Sequence, residues 1–150
     1  MLAVSVASDI LYVVHIMVAL ATFSVLIAMR TSVAMLVKSP GNEKLTNRFP
    51  PGRNWAGRII HLLPLSGLAL SLSEGHDDSL GHPWIGVGFL CYLAAAGLLE
   101  ARVFPLERSV ASTLATGEDV SKSVGRQLGS RLDTVLTILA IAVIVMVVQF

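Results

Sequence analysis

Apolar residues in this chain come in long unbroken runs rather than in alternation, and the runs are separated by segments that hold nearly all the charge. Four runs approach the ~20 residues that a helix needs to cross a hydrocarbon core of about 30 Å. They cover Ile10 to Met29, Trp55 to Ser73, Pro83 to Glu100 and Leu132 to Phe150. Strand-like alternation in ten-residue segments, the mark of a transmembrane barrel, is missing, so the pattern predicts helices. Short connectors between consecutive spans favour antiparallel neighbours, and the expected fold is an all-α, integral membrane four-helix up-down bundle forming a single domain.

The polar segments refine this picture. Between the first two runs, Thr31 to Asn54 contains Ser39-Pro40-Gly41-Asn42 and Phe49-Pro50-Pro51-Gly52, which punctuate a short helical piece over 42–48. Between the third and fourth, Ala101 to Arg131 carries Pro105 and then Thr116-Gly117-Glu118-Asp119, read as a helix start with acid in its first turn. An amphipathic helix with Val120, Val124 and Leu128 on one face is expected to run from there into the last span.

Charge then orients the chain. All 11 Lys and Arg residues fall in these two segments or beside the first of them, with Arg30 just before it and Arg58 in the first turn of the second span, and the connector Ser73 to Pro83 has none. Basic residues beside membrane spans stay in the cytoplasm, so both basic loops are expected inside and both termini outside. On that threading the inner side sets its cations against Glu43, Glu100, Glu107, Glu118, Asp119 and Asp133, while the outer side holds only Asp9, Glu74, Asp77 and Asp78. The basic face suits anionic lipid headgroups and calls for no nucleic acid. Composition agrees, with 54% hydrophobic residues, 14% charged residues and a mean hydropathy of +0.74. The lone Cys91 sits in an apolar run and reads as a core residue, and the N-terminus lacks the basic region of a signal peptide.

Candidate chemistry is sparse. His15 and His61 fall within spans and are the candidate cofactor ligands, for haem, copper or a quinone. With Arg30 and Arg58 as markers of one interface, the two histidines differ in depth by about 18 Å, too far for one iron. An intramembrane histidine generally faces the bundle interior, and Tyr12, Ser24 or a hydroxyl of another helix is the expected partner of His15. His76 and His82, with Glu74, Asp77 and Asp78, offer nitrogen and oxygen donors for a metal in the outer connector, at a spacing that matches no standard site. Arg58 and Glu100 are expected to pair across neighbouring helices at the inner interface. Small residues Ala94, Ala95 and Gly97 mark a place where the third span can approach other helices closely, within the chain or on a partner. No phosphate loop, nucleophile elbow or zinc helix is present in the sequence.

The stretch Asn54-Trp55-Ala56-Gly57-Arg58 through Leu70, then Pro83-Trp84-Ile85, Cys91-Tyr92-Leu93 and Pro105-Leu106-Glu107-Arg108, resembles a family of small bacterial four-helix membrane proteins of unknown function. That family is in turn similar in layout to the membrane domain of copper-resistance protein D. The resemblance implies a location in the bacterial inner membrane and carries His15 over as a copper ligand. The chain lacks the Met- or His-rich outer clusters that copper handling would use. The residues therefore favour a non-enzymatic accessory or anchoring subunit, in contact with lipid and with other membrane subunits or copies of itself. A haem-, copper- or quinone-associated module in electron transfer or metal handling is the alternative.

Overall fold

The computed structural model describes residues 2–39, 43–49, 52–73 and 81–148. Within them the chain is all helical. The helix α1 spans Leu2–Lys38, α2 Leu62–Ser73, α3 Pro83–Leu98, α4 Phe104–Ala115 and α5 Lys122–Val148. Two 3-10 segments, Glu43–Arg48 and Gly57–His61, precede α2, and a π turn at Leu99–Val103 joins α3 to α4.

Three helical stretches are long and apolar enough to cross a membrane: Val6–Lys38, Pro83–Ala115 and Lys122–Val148. The second expected span is shorter than these. It is built from the 3-10 turn and α2 together, Gly57–Ser73, about 28 Å of combined rise. Pro64 explains the change of helix type. Lacking an N–H, it cannot bond the carbonyl of Ile60, and the turn before it tightens instead.

The helices overrun the boundaries that hydropathy predicts. Between Leu2 and Lys38 there is no Gly or Pro, so α1 continues for 37 residues, about 55 Å. It stops beside Pro40, which disfavours helical backbone in the residue before it. Pro105 does not end the third span either. The π turn widens the backbone just ahead of it, and Phe104 N–H bonds the Leu99 carbonyl five residues back. The cluster Thr116–Asp119 is a helix stop rather than the expected start: Gly117 has φ +74° and Glu118 N–H closes on the Thr113 carbonyl. The next helix begins after Ser121, whose hydroxyl accepts from Ser123 N–H.

Packing is uneven along the long axis. The helix α5 packs on both α1 and α3, α1 packs on α2, and α2 touches α3 only lightly. The dense core lies at the end that carries the basic residues. There Leu26, Val33 and Leu36 of α1 meet Leu99, Val103 and Phe104 across from Leu128, Leu132 and Val135 of α5, all of them buried. The α5 residues recur at helical spacing, so one stripe faces inward. Leu45 and Phe49 close this core from the 3-10 segment, which packs on α1 and α4. Val124 and Leu128 lie on α5, whereas Val120 precedes the helix rather than sharing its face as expected, and all three pack on the protein's own core. Gly125 lets α1 and α5 approach, since a Cβ there would lie 2.8 Å from Val37. At the opposite end α2 buries no residue, and Ile10, Met17, Leu20, Leu65, Leu72, Leu90 and Ile144 are exposed. Apolar helices with bare apolar faces belong in lipid, and this is a membrane protein.

Candidate functional site

The described polar side chains that converge do so where the apolar stretch of the helices gives way to the dense basic end. Asn54 and Arg58 come from the segment entering α2, His61 from the end of its 3-10 turn, Tyr92 from α3, Glu100 from the π turn and Glu107 from α4. The π turn adds a residue to the helical path between Tyr92 and Glu107. Leu99, Val103 and Phe104 consequently stay buried while Glu100 faces α2.

Arg58 and Glu100 form the expected pair, Nη2 to Oε2 at 2.8 Å. The Arg58 side chain is 13% exposed and that of Glu100 40%, so solvent screening limits the pair to roughly 1 kcal/mol. Arg58 also lies 4.7 Å above the Phe104 ring and donates from Nη1 to the Asn54 carbonyl at 3.3 Å. Its Nε is buried and finds no partner. Asn54 Nδ2 donates to both oxygens of Glu107, at 2.7 and 3.0 Å, while Asn54 Oδ1 accepts from Gly57 N–H at 2.8 Å. Glu107 is only 4% exposed, so this amide is what hydrogen-bonds a buried carboxylate. Gly57 is required here, because a Cβ would sit 2.7 Å from the Phe104 ring.

Each histidine has its own partners. His61 Nδ1 lies 3.0 Å from the Tyr92 hydroxyl and its Nε2 lies 3.4 Å from Glu100, so both ring nitrogens are engaged. His15 Nδ1 lies 2.8 Å from Ser66 Oγ, the hydroxyl of another helix. The same hydroxyl lies 2.9 Å from the Leu62 carbonyl and 3.1 Å from that of Leu63, so Ser66 ties His15 to the backbone of α2. The expected 18 Å difference in depth is too large: Ser66 is five residues from His61, about 7–8 Å of helix. Arg30 and Arg58 are not at one level. Met29 touches Asn54 instead, and Arg30 pairs with Asp133 of α5 at 2.6 Å. The histidines are nonetheless held separately by these contacts.

The remaining candidates scatter. His82 is exposed and stacks on Trp84 at 5.9 Å, while His76 and the carboxylates beside it lie outside the described residues. Among the described residues no three His, Cys, Asp or Glu side chains come together as a metal site would require. Ala95 is fully buried in the chain's own core and is therefore closed to a partner. Ala94 and Gly97 face outward, with open space beside Gly97. Sequence reading missed Asn54, Tyr92 and Glu107 as members of the junction. Glu107 had one available signal, a carboxylate in a helix whose neighbours Phe104, Val110 and Ala111 are apolar at helical spacing. Compared with known protein families, curated proteins and solved structures, the chain matches none of them.

Proposed function

We propose that this chain is a small non-enzymatic subunit of the bacterial inner membrane, an up-down four-helix bundle with both termini outside, which anchors or stabilises a larger membrane complex. One observation supports this most directly. The polar side chains at the junction bond one another, joining α1 to α5 through Arg30–Asp133, the segment before α2 to the π turn through Arg58–Glu100, and that segment to α4 through Asn54–Glu107. Those groups serve cohesion, while the apolar faces of α1, α2, α3 and α5 are left for lipid or for helices of other chains. The asymmetric Lys and Arg support the inner-membrane placement.

The test is a native mass spectrum of the tagged protein extracted in a mild detergent. Additional polypeptides bound to the 16.0 kDa chain support the subunit reading, and the same chain recovered alone at every detergent concentration overturns it. A quinone-associated module is the second reading. His61, Tyr92 and Glu100 stand half open between α2 and α3, two helices that scarcely touch. A reproducible quinone mass that disappears in His61→Ala would transfer the assignment to that reading.

A further inference from the structure

Arg53, Arg58 and Arg108 line one small cavity together with Asn54, Phe104 and Glu107, and its volume is about 10 Å3. Three arginines thus line one space with one glutamate, whose carboxylate already accepts twice from Asn54. Neither Arg53 nor Arg108 forms an ion pair with a described carboxylate. Arg53 lies 4.8 Å over the ring of Trp55, which is 70% exposed. Arg58 brings a buried Nε that lacks an acceptor. A buried donor without an acceptor is costly, and a small shift of the Arg58 side chain that brings Nε to an incoming oxygen removes that cost.

From this geometry we infer a phosphate-binding site formed by Arg53, Arg58 and Arg108. The cavity has room for about one oxygen-sized atom, so one non-bridging phosphate oxygen enters it among the three arginines. The other oxygens remain at the mouth, where the two unpaired guanidinium groups reach them. Planar guanidinium groups suit phosphate geometry, and charge assistance strengthens each bond. The site lies just before the lipid-exposed Leu62 and Leu65 and next to an exposed tryptophan, the depth at which headgroup phosphates occur. The phosphate therefore belongs to an anionic lipid headgroup or is free in solution. Apolar surface on α2 and α3 flanks the site for acyl chains. The inference depends on the membrane placement alone and holds whether or not the chain is a subunit.

The experiment is native mass spectrometry of the full-length protein titrated with phosphatidylglycerol, with phosphatidylcholine or with inorganic phosphate. The test variant is Arg53→Gln/Arg108→Gln, which spares the Arg58–Glu100 pair. The comparison variant is Lys122→Gln/Arg126→Gln, which removes two cations from the first turn of α5. Phosphatidylglycerol binding is expected to weaken about tenfold or more in the test variant and less than about twofold in the comparison variant. Competition by inorganic phosphate shows that the phosphate is the group recognised. Binding of inorganic phosphate with no lipid preference identifies free phosphate as the ligand and keeps the site. Equal weakening in both variants, or no phosphate-bearing ligand bound by the wild type, overturns the proposal, since the first is diffuse attraction to a basic face and the second leaves the cavity to water. Far-ultraviolet circular dichroism of both variants excludes misfolding as the cause.

Discussion

Replacing Asn54 by alanine tests whether this side chain is what makes a carboxylate at position 107 tolerable. The substitution deletes the amide that donates to both Glu107 oxygens, at 2.7 and 3.0 Å, and the oxygen that accepts from Gly57 N–H at 2.8 Å. With Glu107 only 4% exposed, the one-atom cavity beside it leaves water little room to take over both bonds. Losing a hydrogen bond to a buried charge costs about 1.5–3 kcal/mol, and the neutral bond to Gly57 adds about 1 kcal/mol. The variant should therefore be destabilised by about 2.5–4 kcal/mol, read from reversible unfolding in mild detergent by far-ultraviolet circular dichroism. Asn54→Asp should be at least as damaging, because it keeps the acceptor for Gly57 but turns a second carboxylate toward Glu107. Removing both partners is the decisive arm. Asn54→Ala/Glu107→Leu should recover about half the loss or more, because no buried charge is then left unpaired. Costs that simply add, or an Asn54→Ala penalty below about 1 kcal/mol, would refute the assignment and place the Glu107 charge in contact with water.

Gly57→Ala should destabilise by about 1–3 kcal/mol through overpacking, since the new Cβ meets the buried Phe104 ring at 2.7 and 2.9 Å. Gly86→Ala, with nothing within 4 Å, should be neutral or slightly stabilising in the same unfolding assay. Truncating leucines should separate the two ends of the molecule. Leu99→Ala, at 0% exposure, should cost about 2–5 kcal/mol, while Leu90→Ala, at 64% exposure, should cost well under about 1 kcal/mol. Equal losses at the two positions would mean that the dense core is not at the basic end.

The apolar helices were legible in the sequence because hydropathy over a 20-residue window integrates many residues, and no local error removes such a signal. Their ends were not. Hydropathy falls at Arg30, but the backbone of α1 has no reason to stop before Pro40. The same gap between solvent boundary and helix boundary hid the continuation through Pro105, where a π turn absorbs the missing hydrogen bond. Arg58–Glu100 was readable because both lie at the edges of apolar runs, where an ion needs a nearby counter-ion. Asn54–Glu107 was not, because the two are 53 residues apart and neither residue type announces burial.

By itself the sequence determined that this chain is helical and made for a membrane, since continuous apolar runs leave the backbone no other way to satisfy its own hydrogen bonds in lipid. Its uneven Lys and Arg distribution likewise supplies an expected orientation, read without any packing detail. Only the tertiary structure decided which polar groups meet, that Ala95 is enclosed while Gly97 is open, and that Arg58 Nε faces no acceptor. These depend on rotation and register between helices. A shift of one residue turns a helical side chain by about 100°, and hydropathy windows average over that angle.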